Sequence, residues 1–338
     1  MLSLSGVFTK KVRREVLVGS LFFLSESRRR HLERWVRGRE EQRRLRAGDV
    51  SVVSCGKSGE TWLRTLVSRF FQLRFDLDTS LLLNLDNYHR DCPEIPRVNF
   101  THDGYLQYYT GNFTDKFEYR SKPVIVLVRH PADVAVSQYF QWKHRMRPRK
   151  KWLNEYPQHG SDASMFDLVI DKNAGMPNVI DFLNVWNQER RLAPHLEVVR
   201  YEDLLFDTAA ELVRVLAVMG FAAAPQELAE CVRFGSFDNM RKLEERGVFR
   251  RSGRSLRRVS PTTDENAFKV RRGRAGGWRD YFDAEEAAAI EGEIDARLDP
   301  GLGYRSDEGG RMRRLTPRPL HLHVAASAID EAELAPLG

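Results

Sequence analysis

The passage Ser51–Trp62, Ser-Val-Val-Ser-Cys-Gly-Lys-Ser-Gly-Glu-Thr-Trp, constrains the fold of this chain more than any other stretch. A short β-branched run (Val50, Val52, Val53) breaks at Gly56, and a helical pattern begins at Thr61. A strand, a Gly/Ser/Lys turn and a helix start therefore follow one another directly. Such a junction aims backbone N–H groups and the positive end of the helix dipole into the turn, where an anion such as phosphate is stabilised. Lys57 adds a mobile point charge. The turn is not the common nucleotide loop G-x-x-x-x-G-K-S/T, which needs Gly at position 51, where Ser51 stands.

The same alternation continues along the chain. Strands are predicted at Val50–Ser54, Arg97–Thr101, Pro123–Val128 and Leu196–Arg200. The run Pro-Val-Ile-Val-Leu-Val at 123–128 is apolar without interruption, as in a parallel strand buried on both faces. Helices are predicted at Thr61–Leu73, Pro131–Arg145, Pro177–Leu192, Thr208–Met219, Pro225–Val232 and Asp283–Leu298. Strands separated by helices imply an α/β fold, a single domain with a central, mostly parallel sheet flanked by helices. With 338 residues, of which 42% are hydrophobic, the chain is long enough to bury such a core.

Charge divides the chain. Residues 1–50 hold 13 Lys/Arg and 6 Asp/Glu, which accounts for the whole net charge of +7 and leaves the remainder balanced. Residues 1–47 read as a basic helical N-terminal arm, with apolar positions at Val12, Val16, Leu17, Leu21 and Leu24 and a second piece from Ser27. Three readings of the arm stand: helices packed on the main domain with a solvated Arg face, docking to an acidic membrane surface, or docking to a protein partner. The body is 48–305 and an irregular C-terminal tail is expected over 306–338. Arg145–Lys151 reads as a basic loop, and 248–279 carries ten Lys/Arg before ending in Gly-Arg-Ala-Gly-Gly-Trp, suited to closing over an anion. No apolar run approaches a membrane span, and Val16–Leu24 lacks a small-residue cleavage site, so neither a spanning helix nor a signal peptide is expected. Cys55, Cys92 and Cys231 are scattered, which fits a reducing cytoplasm and gives no disulfide framework or zinc spacing. No metal is predicted.

A second anion holder follows the third strand. Arg129 ends the apolar run, Pro131 suits the first helical turn, and Ser137 lies two turns in. An Arg fork and a Ser hydroxyl near a helix N-terminus suit a second phosphate. Two phosphate holders in one chain imply a ligand phosphorylated at two places.

These motifs resemble those of the sulfotransferases that use 3′-phosphoadenosine-5′-phosphosulfate. Lys57-Ser58-Gly59-Glu60-Thr61-Trp62 is similar to their 5′-phosphosulfate loop, Lys-Ser-Gly-x-Thr-Trp. Arg129 and Ser137, around Pro-x-Asp-Val-Ala-Val-Ser, resemble their 3′-phosphate motif. Arg271-Arg272-Gly273-Arg274-Ala275-Gly276-Gly277-Trp278 resembles their late motif, Arg-x-Gly-x-x-Gly-x-Trp. Tyr201-Glu202-Asp203 and Ser236-Phe237-x-x-Met240 are similar to segments that hold the adenine. The resemblance runs in order over roughly 48–305.

The resemblance implies sulfuryl transfer to an acceptor hydroxyl or amine, with adenosine 3′,5′-bisphosphate as product and no metal. Lys57 would contact the bridging oxygen on which charge develops. Ser58, Gly59, Glu60 and Thr61 would give backbone N–H groups to the 5′-phosphate. Trp62 and Phe237 would stack on adenine, Tyr201 would bond its edge, and Ser236 and Met240 belong to the same wall. Arg129, Ser137, Arg271, Arg272 and Gly273 would hold the 3′-phosphate. His102, in Thr101-His102 after a strand, would be the general base, with Asp103 able to orient or replace it. Lys57, His102 and Ser137 are thus the candidate catalytic residues.

Departures from the family pattern bear on the site. Gly56 stands where many relatives have Pro, and Phe100 where the animal enzymes have Lys before Thr-His. Glu60 replaces a hydroxyl residue, and its carboxylate is expected to point toward a basic acceptor group or Arg64. The acceptor is open among glycan, lipid-linked saccharide and small metabolite; nucleic acid is not expected. The expected location is the cytoplasm, with the arm able to touch the inner face of a membrane. A P-loop kinase of small molecules and a non-catalytic nucleotide-binding protein are the alternatives; the kinase would need Gly at 51 and an acidic metal-holding strand end.

Overall fold

The computed structural model describes residues 23–78, 81–251 and 265–304. Expectations for 1–22, 252–264 and the tail 306–338 lie outside the described residues. Helix α1 spans Glu26–Ala47, followed by β1 (Val50–Ser54) and α2 (Glu60–Arg74). Next come β2 (Val98–Thr101), α3 (Leu106–Thr110), β3 (Val124–Val128) and α4 (Pro131–His144). Helix α5 (Met176–Glu189), β4 (Leu196–Arg200), α6 (Thr208–Val218), α7 (Phe237–Glu245) and α8 (Ala284–Arg297) complete the frame.

The four strands form one parallel sheet in the order β2-β1-β3-β4. Every strand position is buried, because the β-branched residues alternate between two cores. Val52, Phe100, Ile125, Leu127 and Val199 face α2 and α6, where they meet Leu63, Leu66, Phe70 and Leu212. Val53, Val126, Val128 and Val198 face α4 and α5, where they meet Val134, Ile180 and Trp186. The sheet is therefore the middle of three layers, and one register shift would exchange the two cores.

The strand expectations hold to within a residue at their ends. Arg145–Lys151 differs: Pro148–Leu153 is a short helix rather than a loop. Pro148 starts it, the Lys151 ammonium lies 4.5 Å above the Trp142 ring, and Arg149 pairs with buried Glu33 of α1 at 2.9 Å. A helix at Met165–Ile170 also escaped the sequence reading, although Ser164 and Asp167 form a reciprocal capping box. Among the described residues no helix is long and apolar enough to cross a membrane.

Candidate active site

Parallel pairing brings the candidate residues together. Val53 lies opposite Thr101, Ser54 opposite Leu127, and Val128 opposite Arg200, so all four strands end at one edge of the sheet. The segments leaving that edge are the Cys55–Gly59 turn, His102, Arg129 and Tyr201. In an open parallel sheet this edge is where ligands bind, above all between neighbouring strands whose connections diverge. Here β1 connects to β2 on one side while β3 flanks it on the other.

The first turn is tightly determined. Gly59 caps α2 at φ +97°, a left-handed conformation, and a Cβ there would stand 2.7 Å from Tyr201 Cδ2. Lys57 also has a left-handed backbone, at φ +86°. The Ser58 N–H donates to the Cys55 carbonyl at 3.2 Å, while its buried hydroxyl has no partner among the described residues. Burial, and then the charges of Arg145, Lys269 and Arg129, push the Lys57 ammonium well below its ordinary value. Arg129 donates to the Lys57 carbonyl at 3.3 Å and to the Arg274 carbonyl at 3.0 Å, with its guanidinium 4.2 Å from the Tyr201 ring centre. Lys269 donates to the Thr61 hydroxyl.

The late motif is joined to this centre by Asp133. Its carboxylate accepts from the Gly276 N–H at 2.7 Å and the Trp278 N–H at 3.0 Å, and lies 3.7 Å from Arg129. Gly273 adopts φ +61°, and a Cβ there would lie 2.6 Å from the half-exposed Phe237 ring. Arg271 donates to the Tyr281 hydroxyl and lies 4.1 Å from the Phe140 ring centre, while Arg272 and Arg274 pair with Asp280. The Trp62 Nε1–H donates to the Gly235 carbonyl at 2.8 Å, and its ring meets Tyr201 edge-on. Ser236 precedes α7, whose Met240 is buried with Leu82, Leu243 and Phe249. Asp133 and Lys269 were not singled out from the sequence. Asp133 sits inside the quoted Pro-x-Asp motif and had a readable signal; Lys269 had none.

His102 occupies the opposite wall. Its Nδ1 is 3.0 Å from the Ser54 carbonyl, 3.2 Å from the Ser54 hydroxyl and 3.4 Å from Glu60 Oε2. Glu60 thus reaches His102, while Arg64 donates to the Leu83 carbonyl. Asp103 does not orient His102: its buried carboxylate lies 2.6 Å from Lys116 and accepts from the Tyr119 hydroxyl at 3.1 Å. His130 is a buried residue at the N-cap of α4, stacked on Trp278 at 5.9 Å between ring centres.

Beyond His102 the cavity is walled by parts of the chain with no motif. Arg34, Glu41 and Arg44 of α1 line it beside Tyr105, Tyr108 and Phe113. Burial, opposed by the Tyr105 N–H that Glu41 accepts at 2.9 Å, pushes the Glu41 carboxyl up to about 7. Helix α1 is seated here through Gly38, where a Cβ would run into the Tyr105 carbonyl and stand 2.8 Å from Tyr109 Cβ.

A single cavity of about 930 Å³ takes in Lys57, Gly59, Glu60, Thr61, Trp62, His102, Arg129, Ser137, Tyr201, Ser236, Phe237, Met240, Arg271, Arg272 and Gly273. Of the sequence-derived candidates only Ser58 lies behind its wall. Its shape and charge suit a doubly phosphorylated ligand: a glycine cradle with no room for a side chain, an unpartnered buried Ser58 hydroxyl, and several converging cations.

Known proteins are similar to this chain. A family model described as a sulfotransferase domain matches residues 47–299. Cytosolic sulfotransferase 17 of Arabidopsis thaliana is 24% identical over 293 residues, covering 78% of each chain. A 3-alpha-hydroxysteroid sulfotransferase of Cavia porcellus is 24% identical over 257 residues, covering 72% of this chain and 81% of its own. A retinol dehydratase solved with androsterone and the inactive cofactor PAP superposes with a TM-score of 0.51 at 18% identity, over 74% of this chain and 80% of that one. This last likeness concerns the fold.

Proposed function

The chain belongs to the sulfotransferase family, enzymes that take a sulfuryl group from 3′-phosphoadenosine-5′-phosphosulfate, and we propose that its 930 Å³ cavity delivers that group to a hydroxyl of a ring-containing small molecule. The observation that carries this reading is the charge around Lys57. A half-buried ammonium depressed first by desolvation and then by Arg145, Lys269 and Arg129 sits among cations short of negative charge, and a donor with phosphate groups at two positions supplies it. In this reading Lys57 stabilises the bridging oxygen as the S–O bond breaks, and Arg129, Ser137, Arg271 and Gly273 hold the 3′-phosphate. Trp62 and Phe237 flank the adenine, and His102 takes the acceptor proton. Positioning and charge, rather than a covalent enzyme intermediate, then accomplish in-line transfer.

The acceptor wall supports a ring-containing molecule over a polyanion. Tyr105, Tyr108, Phe113 and Phe182 line that side. In the basic stretch Arg145–Lys151, Arg145 donates to the Ala267 carbonyl, Arg149 pairs with Glu33 and Lys151 lies over Trp142. A relative acting on a 3-alpha-hydroxysteroid is consistent with such an acceptor.

Calorimetry tests the donor: adenosine 3′,5′-bisphosphate binds far more tightly than ATP, and a preference for ATP refutes the reading. Lys57→Ala lowers turnover about 10²- to 10³-fold. Labelled sulfate transfer to hydroxysteroids, phenols and oligosaccharides tests the acceptor, and exclusive use of charged saccharides would remove that half of the proposal.

A further inference from the structure

We propose that Glu60 is a positioning carboxylate for His102, so that the base of this enzyme is a Glu60–Ser54–His102 relay across the ends of α2, β1 and β2. This rests on the reading of His102 as the group that takes the acceptor proton. The Ser54 carbonyl can only accept, so at 3.0 Å it holds the proton of a neutral imidazole on Nδ1. Nε2 is then the basic nitrogen. The Ser54 hydroxyl donates to Glu60 Oε2 at 3.2 Å and lies 3.2 Å from His102 Nδ1, tying the carboxylate to the ring. Direct approach of Glu60 Oε2 to Nδ1 is 3.4 Å. Depth separates the two roles: the Glu60 side chain is 3% exposed and that of His102 42%, so the imidazole meets the acceptor while the carboxylate stands behind it.

A carboxylate at the entrance of an anion-binding turn is otherwise hard to account for. It favours the N-terminus of α2, yet it repels the phosphosulfate that the same turn holds. Directed at His102, the charge becomes useful during turnover. The acceptor hydroxyl proton passes to Nε2 as the oxygen attacks sulfur. The new S–O bond forms, the bond from sulfur to the bridging oxygen breaks, and its electron pair stays on the 5′-phosphate of the product. The Glu60 carboxylate faces the imidazolium, whose proton then leaves to solvent. Ser54 and its carbonyl secure the tautomer, so Glu60 acts on basicity.

The test reads His102 directly. In full-length protein with adenosine 3′,5′-bisphosphate bound, NMR follows the imidazole titrations, and His102→Ala identifies the His102 signal. The midpoint falls by about one pH unit in Glu60→Gln. Ser54→Ala removes the linking hydroxyl and keeps the charge; it gives a smaller fall, and serves alone if Glu60→Gln does not fold. Unchanged midpoints in the folded variants overturn the proposal. In parallel, turnover is measured against pH with the fastest acceptor from the hydroxysteroid and phenol panel. His102→Ala loses about 10²- to 10⁴-fold. Glu60→Gln moves the acidic limb of kcat/KM to lower pH, and the affinity for adenosine 3′,5′-bisphosphate holds or rises because a repelling charge is gone. If His102→Ala keeps full turnover, the base reading fails and takes the relay with it. If His102→Ala is inactive while the limb of Glu60→Gln stays in place, only the role of Glu60 fails.

Discussion

At Gly59 the backbone and a neighbouring ring both exclude a side chain, and the donor site depends on that exclusion. The residue sits at φ +97° with Tyr201 filling the place of a Cβ. Gly59→Ala therefore combines left-handed strain with a 2.7 Å clash, and the turn must shift to relieve it. We expect about a tenfold or greater loss of affinity for adenosine 3′,5′-bisphosphate, by calorimetry, and a loss of about 1–3 kcal/mol of stability in urea. An unchanged affinity would show that the turn does not need this geometry. Lys57, a non-glycine residue in the same region of backbone space, holds a second strained conformation at the centre of the site. The loop was legible residue by residue because its chemistry depends on local backbone. The direction of Glu60 was not: its helix position is local, but its partners Ser54 and His102 lie at and just beyond the ends of two different strands.

All of helix α1 but its last residue lies outside the residues matched by the family model, yet it forms part of the cavity wall. Its close approach to α3 depends on Gly38, so Gly38→Val forces the helices apart and is expected to destabilise the protein by about 1–3 kcal/mol. Arg39, the exposed next residue, serves as control: Arg39→Ala stays within about 0.5 kcal/mol. Urea midpoints for both variants check this, and equal effects would mean that the packing at Gly38 tolerates a side chain. Strands and long helices were readable because apolar spacing and β-branched runs report local burial. The helix at Pro148–Leu153 was not, because its basic residues are held by Glu33 and Trp142, contacts that no local pattern announces.

Behind the donor site, four distant parts of the molecule meet at His130. Its ring stacks on Trp278 and meets Tyr304 edge-on; its backbone N–H donates to Glu202 at 2.9 Å, and the Tyr304 hydroxyl donates to the same carboxylate at 2.7 Å. Burial, and then Arg279, Arg129 and Arg200, push the imidazole down to about 3. In the unfolded chain it titrates near its ordinary value of about 6.5, so between these values the unfolded state binds the extra proton. Stability therefore falls as pH drops through that window, by about 2 kcal/mol at pH 5 from this residue. His130→Phe keeps an aromatic ring and removes the titration, so its urea stability should fall less between pH 7 and pH 5 than that of the wild type. An equal fall in both proteins would refute the assignment. The sequence by itself determined the alternating strands and helices, the phosphate loop and the order of the motifs, because each rests on neighbours in the chain. Only the tertiary structure decided how charge is shared among them. Glu60 meets His102, Asp133 holds the late motif, and α1 closes the acceptor wall because parallel pairing brings four strand ends to one edge.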